Sequence, residues 1–139
     1  MKLLPTLTAL CSLTILVFTH AVLANNVRWH NYSSSVFNQA KQHHQSVMLF
    51  AMTDSCYWCQ QMAETTFKSD AVASMINENF YPVMLHADQN RAAFKQLQLT
   101  GVPTIIFYSD DGRVNGAYEG YQQTSDMLEH LSEMIAARH

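Results

Sequence analysis

Apolar and polar positions fall into blocks along the chain, and each block has its own period. Leu7 to Phe18 is an almost uninterrupted apolar run. Val36, Phe37 and Ala40 share one face of a helix predicted behind Ser33-Ser34-Ser35 and running to about His44. Ser46 to Met52 is a short continuous apolar run, which predicts a buried central strand. The polar turn Thr53-Asp54-Ser55 follows, and then a helix from Cys56 through Gln60, Met62 and Ala63 to about Thr65, with Asp54 or Ser55 as its cap. Ser69 or Asp70 starts another helix, with Val72, Ala73, Met75 and Ile76 as its buried face.

Phe80 to His86 predicts a second strand and Arg91 to Leu97 a short helix. Val102 to Tyr108 predicts a third strand, Asp110-Asp111-Gly112 a hairpin turn, and Val114 to Tyr118 the returning strand closed by Gly120. Ser125-Asp126 starts a final helix in which Leu128, Leu131, Met134 and Ile135 recur at three- and four-residue spacing. Strands and helices alternate first, and a hairpin and helix complete the order. The expected fold class is α/β, a central mixed β-sheet flanked by helices on both faces. A helix beginning just beyond a central strand is where such sheets place their chemistry.

The first block has a separate meaning. Lys2 is the only cationic side chain before Arg28, and the apolar run ends in Thr19-His20-Ala21-Val22-Leu23-Ala24. A basic start, a short apolar stretch and a small-residue exit form an export signal, so residues 1–24 are expected to be removed and residues 25–139 to form one domain. The run is shorter than the roughly 20 residues that cross a bilayer, so membrane contact is expected only through the uncleaved signal.

Of 139 residues, 48% are hydrophobic and 14% charged, too apolar a balance for a disordered chain. After the signal, 7 basic against 11 acidic side chains leave 115 residues at a net −4. No cluster of Lys or Arg exists to neutralise phosphates, so no nucleic acid is expected as a partner.

Cys11 leaves with the signal, and Cys56 and Cys59 remain. A bridge between them closes so short a loop that it adds little stability. A structural zinc needs four ligands, and His30, His43, His44, His86 and His130 sit at no recognisable ligand spacing from the cysteines, so no metal and no cofactor are expected. Redox exchange explains the spacing better. Residues three apart share a helix face, and the free N–H groups and positive dipole end of a helix favour the thiolate of its first cysteine. In that scheme Cys56 is the nucleophile and Cys59 the resolving thiol.

A second motif, Gly101-Val102-Pro103-Thr104, precedes Ile105-Ile106-Phe107-Tyr108. A proline at a strand's start is either a simple strand-start residue or a cis-proline loop beside the CxxC helix. Cys56-Tyr57-Trp58-Cys59 after an apolar strand, with this later Val-Pro-Thr, resembles the thioredoxin-like superfamily. Glu64-Thr65-Thr66-Phe67-Lys68-Ser69-Asp70-Ala71-Val72, Ala87-Asp88 and Asp111-Gly112-Arg113 are similar to the C-terminal domain of the periplasmic reductase DsbD and its exported single-domain relatives.

The resemblance covers roughly residues 33 to 137 and implies a thioredoxin-like fold. It implies an exposed nucleophile Cys56, a buried resolving Cys59, and Pro103 as a cis-proline whose neighbour Val102 offers backbone hydrogen bonds to an extended substrate segment. It also implies protein disulfides as substrates and a membrane thiol electron donor of the DsbD kind; separately, the protein is expected to be a monomer.

Three positions depart from the family pattern. Ser55 stands where Trp often precedes the first cysteine, and Phe50 stands where a buried Asp helps take the resolving thiol's proton, leaving Asp54, Glu64 or water for that step. Tyr57-Trp58 replaces the family's Gly-Pro; the rings either form an apolar docking surface, the reading expected here, or simply cover the helix end. The expected activity is an exported thiol–disulfide oxidoreductase of reducing to intermediate character, because the helix end is the only thiolate stabiliser near Cys56 in sequence. The alternative is a thioredoxin-like binding or folding-helper module with a non-catalytic CxxC. With no retention signal of the KDEL type in the chain, the expected compartment is the bacterial periplasm.

Overall fold

The computed structural model describes residues 25–138, and the export signal expected over residues 1–24 lies outside them. Five strands form one sheet: β1 (His30–Asn31), β2 (Ser46–Met52), β3 (Phe80–His86), β4 (Thr104–Tyr108) and β5 (Val114–Glu119). Their spatial order is β1-β3-β2-β4-β5. β1 and β2 run parallel to β3, whereas β4 is antiparallel to β2 and β5 to β4. The helices are α1 (Val36–Gln42), α2 (Tyr57–Glu64), α3 (Asp70–Asn79), α4 (Arg91–Gln96) and α5 (Thr124–Ala136), with a 3-10 turn at Thr66–Lys68.

β2 is buried at every position, as its unbroken apolar run requires. Successive side chains point to opposite faces, so one strand feeds two cores. Met48, Phe50 and Met52 join Phe80, Ile105 and Phe107 under Cys59, Met62, Val72, Ile76, Met127 and Leu131. Val47, Leu49 and Ala51 join Val83, Leu85 and Ile106 under Val36 and Ala40, with Phe94 at the edge. Helices α2, α3 and α5 therefore cover one face and α1 and α4 the other. Gly116 lets α5 lie directly on β5, since a Cβ there would stand 2.9 Å from Met134 Sδ.

Several boundaries differ from the sequence reading, each for a local reason. Helix α1 stops at Gln42 because His44 takes a left-handed backbone (φ 51°). Strand β4 begins at Thr104 rather than Val102, because Pro103 has no N–H to give to the ladder. Helix α5 starts at Thr124, one residue early, and buries Met127 with Leu131 and Met134 while Leu128 and Ile135 sit at the edge.

Strand β1 is absent from the sequence reading. It is too short to show a period, yet the segment leading into it is built into the core. Val27 is buried, and the Trp29 ring lies 5.1 Å from Phe67, edge on, and 5.8 Å from Phe50.

The predicted hairpin turn is present, with Gly112 N–H donating to Ser109 O. Asp111 accepts from the Ser109 hydroxyl and from Arg113 Nε at 2.7 Å. The Ser109 hydrogen bond, followed by those from Arg113, lowers the Asp111 carboxyl to about 2. A depressed carboxyl favours the folded hairpin above its unfolded value and loses that effect as pH falls toward 2.

Two expectations follow. Trp29→Ala lowers stability by about 2–4 kcal/mol in denaturant unfolding, as loss of a large packed ring does, whereas Trp58→Ala, on an exposed ring, changes it by under about 0.5 kcal/mol. Ser109→Ala and Arg113→Ala each move the Asp111 titration midpoint upward in carboxyl-detected NMR.

Candidate functional site

The site assembles where the sheet's central strands end. β2 carries the chain out of the core at Met52, and Thr53 to Ser55 turn it into α2. Cys56 is the N-cap of α2, with an extended backbone (φ −79°, ψ 105°). Neither Asp54 nor Ser55, the caps expected from sequence, holds that position. The capping atom is Cys56 Sγ, which accepts the Cys59 N–H at 3.1 Å. A helix leaves its first N–H groups without partners, and here a sulfur takes one of them.

Cys56 and Cys59 are joined in a disulfide, their Cα atoms 5.2 Å apart. Cys59 is fully buried, packed in the core with Met62, whereas Cys56 is only half-buried at the edge of that core. The two sulfurs thus differ in access: Cys56 is reachable from outside and Cys59 is not. Tyr57 and Trp58, between them, are 61% and 54% exposed, unusual for rings of this size.

Register brings the second motif to the same place. Thr104 pairs with Ala51, so Val102 and Pro103 lie beside the end of β2 and the turn into Cys56. The Val102–Pro103 peptide bond is cis. Val102 is half-buried against the sheet, and Pro103 O accepts the Gly120 N–H at 2.8 Å. Gly120 itself has φ +83°, a left-handed conformation that a side chain disfavours. The tether holds the β5–α5 loop against the proline loop. All six residues singled out from the sequence (Cys56, Tyr57, Trp58, Cys59, Val102 and Pro103) therefore lie at one end of the sheet.

Three contributors were not read from sequence. Tyr121, after Gly120, lies 5.2 Å from Trp58 and extends the exposed aromatic surface, its hydroxyl 3.4 Å from Thr65 Oγ1. An aromatic residue just past a strand-ending glycine was the only available signal. Trp29 supports Phe50 and Phe67 beneath α2, and its alternation with Val27 was the trace of it. His86, at the end of β3 and level with Met52, approaches Asp54, Nδ1 to Oδ1 3.2 Å. No spacing rule links residues 32 positions apart; parallel pairing of β2 and β3 does.

Phe50 is fully buried among aromatic rings. The buried polar side chains among the described residues are Ser46, Thr66 and Thr104, none of them a carboxylate. Asp54 is largely exposed and turned toward His86. No three His, Cys, Asp or Glu side chains converge among the described residues as a metal ion would require. No helix among them is long and apolar enough to cross a membrane.

Comparison with known proteins agrees with this geometry. Residues 34–135 match the thioredoxin-like domain family. Over 96 residues the chain is 29% identical to the thiol:disulfide interchange protein DsbD of Yersinia enterocolitica, covering 63% of this chain and 16% of that protein. Over 65 residues it is 29% identical to spermatogenesis-associated protein 20 of Rattus norvegicus, covering 47% of this chain and 8% of that protein. The chain thus spans less than a fifth of either relative. A thioredoxin from Thermus thermophilus superposes with a TM-score of 0.70 at 21% identity, covering 78% of this chain and 87% of that one. With its disulfide at the start of a helix at the end of a central strand, the chain belongs to the thioredoxin-like domain family and has the fold and CxxC of its thiol–disulfide oxidoreductases.

Proposed function

We propose that the protein is an exported, periplasmic thiol–disulfide oxidoreductase that reduces disulfides in protein substrates, with residues 1–24 as its export signal and residues 25–139 as the working domain. The observation that carries this reading is the cap of α2: Cys56 Sγ receives a backbone N–H while standing half-exposed beside a buried partner. A sulfur held there is better stabilised as an anion than a free thiol is, because the N–H and the helix dipole both favour negative charge.

In the dithiol form the Cys56 thiolate attacks one sulfur of a substrate disulfide. That S–S bond breaks, its electron pair leaves with the other substrate sulfur, and a mixed disulfide remains. Cys59 then loses its proton and attacks Cys56 Sγ. The second substrate thiolate departs, and the Cys56–Cys59 disulfide forms, the state seen here. Two electrons must return for the next cycle, and likeness to DsbD supports a membrane thiol donor of that kind.

Tyr57 and Trp58 flank the attacked sulfur and suit the apolar side of an incoming polypeptide. Val102, next to Pro103, has backbone groups outside the ladder, free to pair with an extended substrate strand. The proton of Cys59 meets no buried carboxylate, since Phe50 fills that part of the core. Water or the exposed Asp54–His86 pair receives it, so resolution of the mixed disulfide is the slow chemical step. With no Lys, Arg or His within three residues of Cys56 in the sequence, the helix start is its main stabiliser, so thiolate stabilisation is moderate and the couple lies nearer thioredoxin, about −270 mV, than the strong oxidants at about −120 mV.

The decisive measurement equilibrates Cys56–Cys59 in glutathione or dithiothreitol buffers and reads it by Trp58 fluorescence. A potential below about −200 mV supports the reductase, and one near −120 mV makes the protein a disulfide donor. Failure of Cys56 to exchange supports the binding or folding-helper module instead. Cys59→Ala is expected to accumulate mixed disulfides with exported proteins, separable on non-reducing gels, and Cys56→Ser to form none. Trp58→Ala is expected to raise KM for a disulfide-bonded polypeptide about 2–10-fold, the size of one lost aromatic contact, with little change in the potential, read for this variant by thiol labelling.

A further inference from the structure

We propose that Asn25 is the first residue of the mature protein, and that removal of the signal creates there an ammonium group which pairs with Asp70. The proposal rests on the export reading above and adds to it a docking site for the new chain end.

The geometry is specific. The Asn25 backbone N donates to Asp70 Oδ1 at 3.1 Å, and Asn25 Nδ2 donates to Ser74 Oγ at 2.7 Å. Asn77 Nδ2 donates to Asn25 Oδ1 at 3.3 Å and to Asn26 O at 2.9 Å, while Asn77 Oδ1 accepts the Arg28 backbone N–H at 2.9 Å. Asp70, Ser74 and Asn77 follow one another at four- and three-residue spacing, so they form a single polar stripe along α3. Segment 25–28 lies along that stripe, and Val27 and Trp29 then plunge into the core beside Phe67. Asn25, Asn26 and Arg28 are thus all held to the stripe, and Asn25 directly follows the small-residue exit Val22-Leu23-Ala24 in the sequence.

While Ala24 is attached, the Asn25 nitrogen is a neutral amide with one hydrogen to give. Hydrolysis of the Ala24–Asn25 bond delivers the water's hydroxyl to the Ala24 carbonyl carbon and a hydrogen to the Asn25 nitrogen. The new amine takes up a proton at neutral pH, its ordinary pKa being about 7.7–8.0. An ordinary hydrogen bond to Asp70 thereby becomes a charge-assisted ion pair. The other charged groups at this corner are Lys68, whose Nζ donates to Asn26 Oδ1 at 3.2 Å, and Arg28, whose Nη2 reaches Asn77 O at 3.4 Å. Both are occupied by neutral oxygens, which leaves the Asp70 carboxylate to the ammonium. An amine held by a carboxylate has a raised folded pKa, so its contribution is full below about pH 7.7 and disappears as pH rises through that folded value.

The test begins with the full chain expressed in a Gram-negative host. Intact mass of the exported product is expected to correspond to a chain starting at Asn25. Any other start, or retention of residues 1–24, overturns the cleavage assignment on which the proposal stands. Thermal unfolding of that product is then compared with exported Asp70→Asn and with a chain made with Met directly before Asn25, which restores an amide at that nitrogen. Both are expected to unfold about 1–4 °C lower at pH 6.5, a size typical of an exposed ion pair, and above about pH 9 the gap to the product is expected to close for the Met chain and to narrow for Asp70→Asn, which also loses the carboxylate in the first turn of α3. If the product starts at Asn25 but the three unfold together at pH 6.5, or the gap persists unchanged above pH 9, the ammonium–Asp70 pair is refuted while the export reading stands.

Discussion

The structure depends on the complete burial of β2. A seven-residue strand with no solvent-facing position must be covered on both faces and paired on both edges, and those four demands specify the neighbours. β3 takes one edge in parallel and β4 takes the other antiparallel; one set of side chains needs α2, α3 and α5, and the other needs α1 and α4. Because the strand is apolar from Val47 to its end at Met52, the first polar residues after it, Thr53 to Ser55, are also the first that can meet water. Whatever reacts must sit just beyond, and Cys56 does.

Placing a sulfur at that point sets the character of the site. A helix start offers free N–H groups, and a serine or aspartate there would cap them without redox consequence. A cysteine in the same role couples the helix's electrostatics to the charge state of one reactive atom. The neighbouring core adds nothing of that kind, because Phe50 and its ring partners exclude ions and have no proton to exchange. In the proposed cycle, thiolate stabilisation and proton removal would thus be separated: the first would belong to the backbone of α2, and the second would fall to groups at the surface.

Much of this was legible in the sequence. Long runs with a clear period, such as Ser46–Met52 and the stripe in α5, gave elements within two residues of where they stand, since burial and periodicity are properties of the chain itself. The two motifs were read from residue spacing, and the fold brings them to the same end of the sheet. What stayed hidden depends on tertiary pairing. β1 exists only because β3 offers an open edge, and two residues carry no period. Tyr121 meets Trp58 because the Gly120 N–H ties one loop to Pro103, and His86 meets Asp54 because two parallel strands end level. The cap of α2 was misassigned to Asp54 or Ser55 because sequence rules for caps favour oxygen side chains, whereas the capping atom is sulfur.

The aromatic residues show how one chemical type serves two ends of the same construction. Trp29, Phe50 and Phe67 pack tilted and edge to face at 5.0 to 5.8 Å beneath α2 and form the apolar base of the site. Tyr57, Trp58 and Tyr121 continue the contacts above it, at 5.1 and 5.2 Å, but in water. Exposed rings that touch one another keep part of their surface dry without a partner and lose little side-chain freedom when one arrives. Under the function proposed above, a site that receives varied polypeptides would gain from that arrangement, since rings accept varied apolar neighbours while the backbone beside Pro103 would ask only for an extended strand. Breadth of substrate and fixity of the reactive sulfur are then compatible, because different layers of the same fold supply them.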